Sequence, residues 1–152
     1  MKVVRIFTRA TPGGLQSEAE QVNVVAGKGI EGDRYFGRQE EPGQNLTLIE
    51  LEVLEAFLRE HPRDAGLGLT HRNVVVSGVR LNDLVGREFT VGEVRLRGAD
   101  LCEPCMGLGS DLAGDALPAH EAVRWFVHRA GIRADVLTSG VIARGASVRT
   151  DD

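Results

Sequence analysis

Residues 71–105 read "HRNVVVSGVRLNDLVGREFTVGEVRLRGADLCEPC". Three runs inside this stretch, "RNVVVSG", "REFTVG" and "VRLRGADL", have the length and β-branched content of strands, with glycines between them. Outward from it, "KVVRIFT", "AEQVNVV", "NLTLI", "RADVLTS" and "ASVRT" repeat the pattern, several with partial period-two alternation. Helical periodicity interrupts it at two main places. In "ELEVLEAFLREHP", Leu51, Leu54 and Leu58 share one face with Val53 and Phe57 beside them, and Pro62 ends the pattern. In "LPAHEAVRWFVHRAG", Ala119, Ala122, Val123, Phe126, Val127 and Ala130 follow the helical repeat, with Pro118 suited to the first turn and Gly131 to the C-terminal stop. A third, shorter helix is expected from Cys105 through "CMGLGSDLA", weakened by Gly107 and Gly109. Many short strands with few helices, and no regular strand-helix alternation, predict a mainly β or α+β fold that is barrel-like rather than doubly wound.

At 152 residues the chain has the size of one domain, so residues 1–152 are read as a single unit. Its 42% hydrophobic and 26% charged residues are those of a globular chain. No apolar run approaches the roughly 20 residues of a membrane span, and "MKVVRIFTRATPGG" lacks the apolar centre of a secretory signal. A cytoplasmic protein with no membrane partner is expected. The net charge of −4 argues against broad binding to nucleic acid and leaves room for a local basic patch that holds a small anion. Gly86, Gly92, Gly98, Gly140 and Gly145 read as turns between strands, Gln44, Asn45 and Glu50 as capping around the first helix, and Arg95 and Arg97 as solvent-facing.

Cys102 and Cys105 are the only cysteines. Two are too few for a disulfide scaffold, and a turn or helix start at Cys105 offers backbone amides that favour a thiolate, the reactive form of the side chain. A structural zinc site would need two of His61, His71, His120 and His128 as well, and none sits at the short paired spacing that zinc favours. A redox pair is suggested by the proline in "CEPC" but lacks a strand-helix-strand framework around it. One cysteine could instead carry sulfur or ligate a soft metal, and two inert buried thiols are the plain alternative.

Taken in order, "GKGIEGDRYFG", "QNLTLIE", the 71–105 stretch and "GIRADVLTSGVIARGASVRT" cover nearly the whole chain and resemble the MOSC domain, named for the C-terminal domain of molybdenum cofactor sulfurase. The resemblance implies a β-barrel-like fold that binds molybdenum cofactor (molybdopterin), or carries sulfur for a metal-sulfur centre, through a late cysteine. That cysteine matches Cys105. Cys102 matches a position that is cysteine in only some members and is read as a helper. The cofactor carries a dithiolene-held metal and a terminal phosphate, so its site needs a soft donor, an anion cradle and polar groups for the pterin edge. Lys28 and Arg34, with the amides of Gly27, Gly29 and Gly32, are the candidate cradle, and Asp33 is expected to orient Arg34. In "HRNVVV", Arg72 could fork onto phosphate, and Asn73 could meet the pterin edge or fix the strand register. Many members carry arginine where this chain has His71, which puts the strength of anion binding there in question.

Three activities are implied by the resemblance. A Cys105 persulfide could carry sulfur from an external, pyridoxal-phosphate cysteine desulfurase. Cys105 could ligate molybdenum in a reductase of N-hydroxylated compounds, fed by an external electron donor. A non-catalytic module could store or deliver the cofactor. No pyridoxal phosphate, flavin or zinc of the chain's own is expected.

Overall fold

The computed structural model describes residues 1–38 and 40–151. The elements run β1 (Lys2–Arg9), β2 (Gln16–Ala19), β3 (Gln21–Val25), β4 (Gly29–Ile30), β5 (Leu46–Glu50), α1 (Leu51–Glu60), β6 (Val74–Ser77), β7 (Glu88–Val91), β8 (Val94–Leu101), α2 (Met106–Leu112), α3 (Ala119–Phe126), β9 (Ile132–Val136), β10 (Gly140–Ala143) and β11 (Val148–Thr150). A 3-10 turn, Leu81–Leu84, lies between β6 and β7. The eight-stranded sheet has the order β11-β7-β8-β9-β5-β6-β1-β2 and curls into a half-barrel, and a second sheet has the order β10-β3-β4. The mainly β, barrel-like expectation is met, with three short helices among the described residues.

Packing explains why the central strands read as unbroken apolar runs. Val74 and Val76 of β6 face the interior of the curl with Leu46 and Leu48 of β5 and Val3 and Ile6 of β1. Their chain neighbours Val75, Ile49 and Phe7 face the other way into a second core with Leu54, Phe57, Leu108, Leu112, Ala122 and Phe126 of the helices. Strands covered on both faces lose alternation. The parallel pair β5–β6 is joined across α1, which is the local strand-helix-strand unit.

Two bulges shape the ends of strands that reach the site. The β1–β6 register slips between Val3 and Arg5, and the β8–β9 register slips between Gly98 and Asp100. At Gly98 the backbone passes against the Leu84 carbonyl, so a Cβ has no room there. A bulge bends its strand and re-aims the residues beyond it. On β8 those residues lead into the cysteine segment.

The helices differ from expectation in one extent. α3 stops at Phe126, so Val127 is 42% exposed and outside the helical face. The stop is the turn at His128, whose φ is +61°, and not Gly131. Gly131 instead enters β9 at φ +90°, where a Cβ would collide with the Leu48 carbonyl. Glu50 precedes α1 without capping it, because its carboxylate accepts from the Leu81 amide at 3.1 Å. Asn45 likewise ties strands, accepting from Val136 N–H at 2.9 Å and donating to the Gly27 carbonyl at 3.3 Å. Strands β2, β4 and β10 were not among the expected runs. Arg95 and Arg97 face outward as expected and meet Glu88.

Gly131→Ala combines a left-handed backbone with a Cβ set against backbone, so it should cost about 2 kcal/mol or more. The midpoint of urea unfolding measures this, and an unchanged midpoint would show that β9 can shift away from β5.

Candidate functional site

The site is assembled around one buried carboxylate. Asp33 Oδ1 accepts from the Arg9 amide at 3.0 Å, Arg34 Nη1 at 3.2 Å and Asn73 Nδ2 at 3.3 Å, and Oδ2 accepts from the Tyr35 amide at 3.2 Å. These donors come from the end of β1, from the loop after β4 and from the entry to β6. A buried carboxylate with this many donors is satisfied in its ionised form, which offsets its desolvation. Asn73, 1% exposed, also donates to the Phe7 carbonyl at 3.0 Å and accepts from the Thr47 amide at 3.0 Å. Its amide is occupied by the protein, so it locks β1, β5 and β6 together from beneath.

Above this hub lies an open cleft of about 320 Å³. Arg9, Arg34, Arg38, Arg72, Tyr35, Thr70, His71, Cys105 and Asp111 are among its lining residues. Among the described residues of the lining, four arginines face one carboxylate, Asp111, in a chain whose net charge is −4. The cleft is therefore a concentrated positive site on an acidic protein. Arg34 is held by Asp33, by the His71 carbonyl at 3.3 Å and by stacking 4.2 Å above the Tyr35 ring. Arg72 spends three donors on carbonyls: Ala130 at 2.9 Å, Thr70 at 3.2 Å and Cys102 at 3.1 Å. It pins the 70s loop, the start of β9 and the cysteine segment to one another while presenting its charge to the cleft.

Cys105 is exposed and immediately precedes α2, whereas Cys102 is partly buried. Burial pushes the Cys102 thiol up, against the opposing pull of Arg72 and Arg133. Cys102 lines a separate, smaller chamber of about 120 Å³ that shares Tyr35 and Arg38 with the cleft. The two thiols thus face different spaces. Of the residues expected from sequence, Cys105, Arg34, His71 and Arg72 converge on the cleft, and Asp33 and Asn73 support it. Lys28 and Gly32 are exposed outside its lining, and the Gly27 amide donates to the Val136 carbonyl at 2.8 Å rather than facing a ligand. Arg9, Arg38, Thr70 and Asp111 are added by the structure. Arg9 closes a strand before the "ATPGG" turn, and nothing in its spacing marks it as a cleft residue.

His71 adopts φ +61°, uncommon for a residue with a side chain. Burial, then the charge of Arg9, lowers its pKa, with Asp111 partly offsetting them. Glycine at position 68 makes room for its neighbour: a Cβ there would collide with the Gln16 amide, which donates to the Gly68 carbonyl at 3.0 Å.

The donor set fits molybdenum cofactor better than a bare ion. Among the described residues no group of three or more His, Cys, Asp or Glu side chains is placed to hold a metal. A metal already held by a dithiolene needs only one soft protein donor, and the arginines suit a phosphate. Thr70 Oγ1, buried and without a hydrogen-bond partner among the described residues, is a further unspent polar group beside that cleft.

A family model described as the MOSC domain matches residues 34–149. Among solved structures, the YUAD protein from Bacillus subtilis is similar with a TM-score of 0.83 at 18% identity, covering 99% of this chain and 96% of that one. YiiM from Geobacillus stearothermophilus is similar with a TM-score of 0.71 at 18% identity, covering 99% and 75%. YiiM from Escherichia coli gives 0.68 at 16% identity, covering 100% and 70%. At such identities the likeness is one of fold. No curated protein matches the sequence.

This geometry has two measurable consequences. Asn73→Ala strips partners from Asp33, Thr47 and the Phe7 carbonyl and should destabilise the fold by about 2–4 kcal/mol in chemical denaturation. Iodoacetamide near neutral pH should alkylate Cys105 at least about tenfold faster than Cys102, read by peptide mass, because burial shields Cys102 and raises its pKa.

Proposed function

Because the chain belongs to the MOSC domain family, which is associated with molybdenum cofactor binding, we propose that the arginine-lined cleft binds molybdenum cofactor with Cys105 as its soft donor. The observation that carries this reading is the placement of an exposed thiol in one cleft with four guanidiniums. Arg9, Arg34 and Arg38 would meet the cofactor's phosphate, and Arg72 would add charge while holding the cysteine segment in place. Asp33 and Asn73 fix Arg34 and the loop from below. Bound there, the cofactor would supply a metal centre able to transfer oxygen or sulfur.

The exposure of Cys105 supports a second role as sulfur carrier. The Cys105 thiolate would attack the outer sulfur of a persulfide on an external cysteine desulfurase. The donor's S–S bond breaks, its cysteine leaves as a thiolate, and Cys105 holds the transferred sulfur with no net oxidation. No acid or base from this chain is required. The reductase and delivery readings use the same cleft and differ in whether an external electron donor turns the bound cofactor over.

Purification from a host that makes molybdenum cofactor tests the proposal. Molybdenum and pterin near one equivalent are expected, and Cys105→Ala should lower the molybdenum content about tenfold or more while the protein stays folded. Protein free of pterin rejects the cofactor reading. Metal-free protein that gains the mass of one sulfur on Cys105 from a desulfurase supports the carrier role, and turnover of an N-hydroxylated compound only when a reductant is added supports the reductase. A Cys105→Ala protein with unchanged metal and sulfur loading removes that residue from the site.

A further inference from the structure

We infer that the cleft contains an oxyanion subsite at which His71 takes up a proton as the anion binds, the anion displacing Asp111 from the imidazole. This deepens the reading of the cleft as an anion site and rests on it.

The ring is gripped at both nitrogens. The Gln16 amide is oriented by its donation to the Gly68 carbonyl, so Gln16 Oε1 is the atom that faces His71 Nδ1, at 3.3 Å. Nδ1 must therefore carry a hydrogen. Nε2, on the other side, faces Asp111 Oδ2 at 3.4 Å. A neutral ring with its hydrogen on Nδ1 turns a lone pair toward a carboxylate, and only the doubly protonated ring donates at both ends. That state is opposed by burial and by Arg9 and Arg34, while the carboxylate that favours it, Asp111, is 56% exposed and screened by solvent. The charged groups facing the ring are thus Arg9 from the end of β1, Arg34 from the loop after β4 and Asp111 from α2; Arg38, Arg72 and Cys105 complete those of the cleft.

An anion seated among the arginines removes the conflict. It cancels the field of Arg9 and Arg34 and accepts the second ring hydrogen better than an exposed carboxylate does. By linkage, whatever favours the protonated ring is bound more tightly when the ring is protonated. Thr70 supplies an independent sign that a ligand belongs here. Its hydroxyl is buried beside His71 with no partner among the described residues, a position that native proteins seldom leave unpaired.

Sulfate is the probe, because it carries no titrating proton in the working range. Calorimetric titration with sulfate from about pH 5.5 to 8, in two buffers of different protonation enthalpy, should show proton uptake. The sulfate Kd should rise with pH, by up to about tenfold per unit. His71→Asn, which tolerates the left-handed backbone, should bind weakly with no pH slope, and His71→Arg should bind with no slope and no proton uptake. Asp111→Asn should tighten sulfate binding. A wild-type affinity that is flat with pH, an unaltered slope in His71→Asn, or no sulfate binding at any pH overturns the inference. Sulfate contains neither pterin nor molybdenum, so a flat profile in protein that retains pterin defeats the proton linkage alone. A sloped profile in protein that retains none defeats the cofactor reading alone.

Discussion

The buried carboxylate of Asp33 is the constraint on which the site depends. A charge removed from water must be met by donors or it unfolds its surroundings. Here the donors are the Arg9 and Tyr35 amides, the Arg34 guanidinium and the Asn73 side chain, drawn from three separate parts of the chain. Each donor is fixed by serving the carboxylate. Arg34 and the backbone of Arg9 are thereby set at the cleft wall before any ligand arrives, which lowers the ordering cost of binding one.

Arginines at the cleft divide their work. Arg72 is tied to three carbonyls and acts as a brace for the cysteine segment, with its charge left over for the cleft. Arg34 is braced by Asp33 and Tyr35, and Arg9 donates from Nε to the Gly14 carbonyl at 3.0 Å, holding the β1–β2 turn at the rim. Guanidinium suits this double use, because its planar fork holds two or three carbonyls and stays charged throughout. Beyond the bulge between Gly98 and Asp100, Cys102 and Cys105 line different spaces.

The fold was legible where composition tracks burial. Val74–Ser77 and Leu46–Glu50 lie between two cores, so they read as apolar runs, and the periodic faces of α1 and α3 are buried where they pack. The two-residue strand β4 is too short to carry a period, and the end of α3 is set by a left-handed His128 that has no sequence signature. At the site, the family resemblance located Cys105, Arg34, His71 and Arg72 because they lie in contiguous motifs. Arg9, Arg38 and Asp111 come from β1, a loop and α2, and only the topology brings them together. The glycine loop lies apart from the cleft for a physical reason: the Gly27 amide donates to the Val136 carbonyl, and a Cβ on Gly29 would meet the Asn45 carbonyl, so both glycines serve contacts between strands.

The histidine at position 71 sharpens the comparison between arginine and imidazole at an anion site. An arginine there would add a permanent charge to four others and strengthen their mutual repulsion in the empty cleft. Histidine avoids that, since burial and the charge of Arg9 lower its pKa while the cleft is empty, with Asp111 offsetting them only in part, and so disfavour a fifth charge there. The side chain is held in register regardless, by Gln16 on one nitrogen and by a backbone pinned through its amide to Gly68. The charge is thus withheld until an anion makes it favourable. The stability of the empty protein and its affinity for the ligand are in this way drawn from different protonation states of one residue.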